Sequence, residues 1–262
     1  MKGPGDVMPS IPQAVAQAYR DLVYCFGELR RLAVIVLLIT LVFQIVDVLL
    51  LPSSPEKPSL NLLARFVIGL AQGFLTVPYY IAVHRLIILG ERTTSYALAP
   101  SNPRFQHFFW WLAAFGAVTF LPLFLLEMLP QARGMSPLAF LIALALMLIV
   151  FVAIIVVTLR ITIIFPAIAV DAPGASWENV MADTKGYAWR IFLFGLLAAL
   201  PLIVPALILI TLAAIGTARG SSWIFGPITM IFGAALSVIA MTLFIIVASR
   251  VYLWIGNRVK LA

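Results

Sequence analysis

The chain has 262 residues, of which 63% are hydrophobic and only 10% charged, and its mean hydropathy is +1.11. A water-soluble domain carries roughly 25% charged residues, so this composition excludes a soluble globular protein. The net charge of +7 would suit a nucleic-acid partner, but the basic residues stand at the ends of apolar runs, and no nucleic-acid-binding module is visible.

The chain opens with a short polar stretch and then "IPQAVAQAYRDLVYCFGELRR". Val15, Ala18, Tyr19, Leu22, Phe26 and Leu29 recur there at helical spacing, which predicts an amphipathic helix suited to the inner leaflet surface. The single cysteine, Cys25, reads as a small apolar residue of that helix. Six apolar runs follow, near 32–51, 61–89, 108–129, 138–160, 191–215 and 223–249. Each reaches the ~20 residues that a hydrocarbon core requires. The first run starts late, is too long for a signal h-region and lacks a small-residue cleavage site, so it reads as a retained span. The fold class expected is all-α: a polytopic membrane protein with six transmembrane helices and cytoplasmic interfacial amphipathic helices. Its parts would be an interfacial helix over 1–31, a six-helix domain over 32–256 and a tail over 257–262.

Orientation follows from the basic residues. Lys2, Arg20, Arg30, Arg31, Arg85, Arg92, Arg104, Arg160, Lys185, Arg190, Arg250, Arg258 and Lys260 fall on one side of the six runs. Only Lys57, Arg65, Arg133 and Arg219 fall on the other. Lys and Arg accumulate on the cytoplasmic side, which predicts that both termini are cytoplasmic. The outer connections, "PSSPEKPS", "PQARGMSP" and "GTARGSS", are short and turn-like. The inner connections are longer. In "SWENVMADTKGYAWR", Ser176 is placed to cap a helix that carries Trp177, Val180, Met181, Thr184 and Tyr187 on one face. In "SNPRFQHFFWW", Asn102 can cap and Pro103 suits the first helical position.

The chain can thus be divided into three units of one plan: interfacial helix, span, turn, span. Arg31 to Arg85, Arg104 to Arg160 and Arg190 to Arg250 mark comparable lengths, and Gly27 and Gly186 each stand four residues before a span-opening arginine. A threefold helical-hairpin repeat is one reading of this spacing; the common length of any membrane hairpin is the other.

The chemistry on offer is sparse. His84 and His107 are the two histidines. No His, Cys, Asp or Glu cluster has metal-ligand spacing, and the pattern requires no metal or cofactor. The acidic residues inside runs, Asp47 and Glu127, both lie near outer ends, where a carboxylate is less costly than at the bilayer centre. Asp47 can pair with Arg65 at similar depth as a structural clamp. Pro78, Pro201 and Pro205 interrupt backbone bonding within spans and are expected to bend them. The basic residues Arg31, Arg85, Arg160, Arg190 and Arg250, with His84, are candidates to contact lipid head groups or a partner. Arg85 and Arg250 read as inner-edge anchors. Arg160 is either deep in the membrane or held at the interface by a turn at Pro166.

The segment "RITIIFPAIAVDAPGASWENVMADTKGYAWRIFLFGLL" (160–197) resembles a broad group of bacterial six-span proteins, including the membrane domain found beside glycerophosphodiester phosphodiesterases. Arg160, Pro166, Ala167, Gly186 and Arg190 occupy the positions that carry the resemblance. "AVAQAYRDLVYCFGELRRLA" and "VHRLIILGE" are similar to stretches of the same group. The resemblance implies a bacterial inner-membrane protein. It does not imply phosphodiesterase activity, because the catalytic barrel and its metal-binding acids are absent from this sequence. The expected function is non-enzymatic: an accessory, scaffold or assembly subunit that touches membrane lipids and another membrane protein. A transporter or lipid-handling permease is the alternative.

Overall fold

Each long apolar run becomes one helix, because in hydrocarbon a backbone must bond to itself. The structure, a computed structural model, describes residues 9–50, 58–128 and 136–260, and among these every regular element is a helix, with no strand. In chain order the helices are α1 (Ile11–Glu28), α2 (Arg30–Leu50), α3 (Pro58–Leu89), α4 (Pro103–Met128), α5 (Pro137–Ile161), α6 (Ile164–Ala169), α7 (Trp177–Asp183), α8 (Ala188–Ala218), α9 (Ser222–Ile255) and α10 (Asn257–Lys260). Five stretches among the described residues are long and apolar enough to cross a membrane: 30–50, 62–89, 138–169, 188–218 and 225–255. The 26-residue α4 is not one of the five. Most of the first two outer connections, with Lys57 and Arg133, and the side chain of Glu127 lie outside the described residues.

Local chemistry sets the helix starts. Ser136 caps α5 by accepting a bond from the Ala139 amide, with Pro137 following. Ser176 does the same for α7 from the Asn179 amide. Before α4, Asn102 Oδ1 accepts from the Arg104 amide at 2.9 Å, and Pro103 opens the helix. At the end of α3, Gly90 takes φ +70°. The Gly90 amide bonds Leu86 O and the Glu91 amide bonds Arg85 O. This left-handed cap, which glycine adopts without steric cost, swings Glu91 back over Arg85.

Most of the buried core lies toward the end that holds both described termini. It combines α1 (Ala14, Ala18, Leu22, Cys25) with Val77–Leu86 of α3, Ile163–Ala169, and Leu243–Ile255 of α9. The apolar face of α1 is therefore covered by protein, packed on α8, α9, α2 and α3, rather than by a lipid surface as the amphipathic pattern suggested. Where the sequence left open a turn at Pro166 or a deep Arg160, the chain forms the short helix α6. All six of its residues are buried, and it packs among α3, α4 and α9. By contrast, no residue in the most apolar window of 138–169 is buried.

The three-unit plan does not recur in the structure. No separate helix precedes α4; residues 90–102 are irregular and fold back so that the Tyr96 hydroxyl donates to Leu75 O. Gly27 and Gly186 also differ: Gly27 lies inside α1, whereas Gly186 takes φ +82° in a turn. Pro78, Pro201 and Pro205 all lie inside helices that continue through them.

Helices α8 and α9 approach closely at their outer turn, where a Cβ on Gly216 would sit 2.8 Å from Phe225 Cβ. A Cβ on Gly233 would meet nothing within 4 Å. Gly216→Ala should therefore destabilise by about 1–3 kcal/mol through overpacking, while Gly233→Ala should be neutral or stabilising by up to ~1 kcal/mol of helix propensity. Thermal unfolding in detergent, followed by a thiol dye that reaches buried Cys25 only on unfolding, checks both.

Candidate functional site

A guanidinium at the edge of a hydrocarbon layer must find acceptors or remain in water. At the core end of this fold the arginines find them inside the chain. Arg250 on α9 makes a two-pronged bond to Asp21 on α1, with Nε and Nη2 at 2.6 and 2.7 Å from the carboxylate. Both side chains are mostly buried, 19% and 13% exposed. Arg85 binds both oxygens of Glu91 at 2.7 and 2.8 Å, donates to Ala169 O at 2.9 Å, and has Asp171 at 3.6 Å. Arg104 pairs with the same Asp171, so α3, α4 and the chain after α6 meet at one carboxylate. Asp171 is the one non-glycine residue with positive φ among those described, a conformation that aspartate tolerates better than most residues.

Arg160 is half-buried at the end of α5. Its guanidinium donates to Met181 O and to Thr184 Oγ1 on and after α7. Its neighbour Leu159 lines a cavity together with His84 and Ala248, the residues next to Arg85 and near Arg250. Through its bonds to Met181 and Thr184, Arg160 ties the end of α5 to α7. Arg190 donates to Pro9 O at 3.3 Å. Of the six residues expected to meet head groups or a partner, Arg85, Arg160, Arg190, Arg250 and His84 thus all bond within the chain, while Arg31 is exposed beside Thr93 and Thr94. Asp183 completes the set by accepting from the Arg258 and Val259 amides at the start of α10, which docks the tail.

His84 is buried in the spanning part of α3, and its Nδ1 lies 2.7 Å from Ser249 Oγ on α9. Further along the same two helices, Tyr79 and Thr242 pair at 2.8 Å. A serine bonded to a histidine resembles a nucleophile and its base. Here Ser249 is fully buried, and its hydroxyl donates to Ile245 O at 2.8 Å. Ser249 does not line the cavity beside His84, and the pair joins α3 to α9. Among the described residues no group of His, Cys, Asp or Glu is gathered as a metal site.

Two kinds of cavity adjoin this framework. An apolar one of about 470 Å³ lies between α3, α4, α6, α8 and α9, beside His84. It meets another of about 400 Å³ between α5 and α8; Leu159, Gly195 and Phe244 line both. A more polar cavity of about 480 Å³ sits away from the core end between α2, α3 and α9, with Gln44, Asp47, Arg65, Gln72 and Thr229 in its walls. There Arg65 Nε is 3.4 Å from Asp47 Oδ1. The sequence pointed to Asp47 and Arg65 but gave no sign of the cavities, which arise between helices far apart in the chain.

No protein family, curated protein or solved structure matches the chain.

Two outcomes follow from the paired end. Asp21→Ala leaves Arg250 mostly buried without its carboxylate, which should cost about 3–5 kcal/mol. Asp21→Leu combined with Arg250→Met should recover most of that loss in the same unfolding assay. Beside this pair, burial and then the Asp21 charge push the Cys25 thiol up to about 12, against an opposing pull from Arg250. The thiol should resist maleimide at pH 8 in the folded protein. Because its folded value lies above the ordinary 9.0, its contribution to stability is whole below pH 9 and is lost as pH rises toward 12. Cys25→Ala should flatten that alkaline loss when melting is followed by tryptophan fluorescence.

Proposed function

We propose that the chain is a six-span protein of the bacterial cytoplasmic membrane, with α4 as the sixth span and both termini cytoplasmic. It works without catalysis, as an accessory or assembly subunit in lateral contact with lipid and with another membrane protein. The observation that supports this reading is the internal use of charge at the core end. Arg85, Arg160 and Arg250 are all bonded to other parts of the chain, so the surfaces left for contact are the apolar flanks. The flank along α5 is the fullest of these, with a window of mean hydropathy 3.5 and no buried residue.

A second reading, a lipid-handling protein, is favoured by the joined apolar cavities beside α5. The polar groups away from the core end do not continue into them: the lining beside His84 is almost wholly hydrocarbon.

Purification in mild detergent followed by native mass spectrometry tests the first reading. It expects a stoichiometric membrane-protein partner. Isolation of the chain alone, with lipid transfer between vesicles, overturns it in favour of the second. Reporter fusions at residue 262 and at Ser136 test the topology. The expected result is cytoplasmic for the first and external for the second.

A further inference from the structure

The His84 ring shows what the apolar cavity is made to receive. Ser249 has one hydroxyl hydrogen, and it is committed to Ile245 O at 2.8 Å. Its oxygen therefore accepts from His84, which places the proton of the neutral ring on Nδ1. Nε2 is left as an acceptor. No other hydrogen bond reaches this ring among the described residues, although the residue is only 2% exposed and lines the cavity. An acceptor at the edge of a hydrocarbon-walled space is costly unless a donor meets it.

The dimensions fix the rest of the ligand. The joined cavities extend along α5 from Thr162 to Phe151, a rise of about 16 Å at 1.5 Å per residue. That is one leaflet's share of a hydrocarbon core about 30 Å thick. Phe244, which lines both spaces, is 53% exposed, so the space opens sideways toward lipid. The His84 end adjoins Arg85 and Arg250, each the next residue after a member of the bonded His84–Ser249 pair. A chain inserted here has its head at the charged end and its tail toward the bilayer centre.

We propose that this cavity binds a lysophospholipid: one acyl chain between α5, α8 and α9, with the free glycerol hydroxyl donating to His84 Nε2. This deepens the lipid-handling reading and rests on it. The hydrogen-bond chemistry separates this ligand from its relatives. A fatty-acid carboxylate and the glycerol esters of a diacyl phospholipid present acceptors at that position, and an acceptor facing Nε2 repels. The two cavities together extend about the length of one chain along α5.

Gly195 supplies the decisive variant. It lines both cavities, and a Cβ built there meets nothing within 4 Å. Gly195→Leu fills the junction while raising helix propensity, so the protein should fold. His84→Asn keeps a donor for Ser249 and removes the second ring nitrogen.

The experiment is native mass spectrometry of the full chain in a non-ionic detergent, with palmitoyl lysophosphatidylethanolamine, dipalmitoyl phosphatidylethanolamine or palmitate added. One lysolipid should be retained per chain, in preference to the other two. Gly195→Leu should abolish retention, and His84→Asn should weaken it about three- to tenfold, the worth of one neutral hydrogen bond. Equal retention of lysolipid and diacyl lipid, with both lost in Gly195→Leu, overturns the head-end assignment and leaves the lipid-handling reading standing. Retention that Gly195→Leu does not change overturns the site itself, since the lipid would then lie on the outer surface. Melting curves of both variants separate loss of binding from loss of fold.

Discussion

The Asp21–Arg250 pair is the constraint on which the arrangement of the core end depends. A guanidinium in mostly buried surroundings is tolerable only with a carboxylate in matched geometry, and the 2.6 and 2.7 Å bonds supply it. The pair fixes α1 across α9, and the Tyr19 hydroxyl extends the attachment by donating to Ala198 O at 2.7 Å. With α1 in place, Ala14, Ala18 and Cys25 close the core against the spans. The other arginines repeat the solution with different partners. Arg85 and Arg104 converge on Asp171, and Arg160 holds the end of α7. Charge thus determines which short elements belong to which span.

Away from that end the physics changes. In a bilayer, helices gain little from hydrophobic burial against one another, and association depends on close packing and polar contacts. The halves away from the core end accordingly expose leucine, valine and isoleucine along α2, α5 and α8. Their close approach occurs where small residues allow it, as at Gly216 beside Phe225. A tightly bonded end and a loosely packed remainder leave space between helices, and the apolar cavities lie in that transition.

This division explains what could be read in the sequence. Apolar runs and cap residues are local signals, so α2, α3, α5, α8 and α9 were legible, as were the caps Ser176 and Asn102. The ends of α8 and α9 fell a few residues beyond the runs because helix continues into the bonded end. Pairing partners were not legible. Asp21 and Arg250 are 229 residues apart, and nothing in either segment indicates the other. The same holds for α6: nothing in "IFPAIA" indicates that α3, α4 and α9 surround it. The apparent repeat failed for a related reason. Similar spacing is imposed on every hairpin by membrane thickness, whereas the inner connections are shaped by their individual partners. The mistaken destination of α1 follows too: an amphipathic face specifies an apolar neighbour but does not say whether that neighbour is lipid or protein.

The two aspartate–arginine pairs show how one set of residue types acquires opposite roles. Asp21 and Arg250 are largely sealed from solvent and doubly bonded, so removing one partner strands the other. Asp47 and Arg65 meet through one 3.4 Å contact with 36% and 51% of their side chains exposed. An exposed pair of that kind contributes about 0–1 kcal/mol, too little to hold α2 against α3. Its effect is instead to keep a polar wall, shared with Gln44, Gln72 and Thr229, in a cavity away from the core end. Gln72 reaches Thr40 at 3.3 Å beneath it, and Thr40 marks the last buried residue of α2. Beyond that residue α2 has no buried side chain, and among the described residues its one polar tie to α3 there is the exposed Asp47–Arg65 contact. The step from doubly bonded ion pairs to loose contacts along the bundle leaves one end fixed and spaces between the helices beside it.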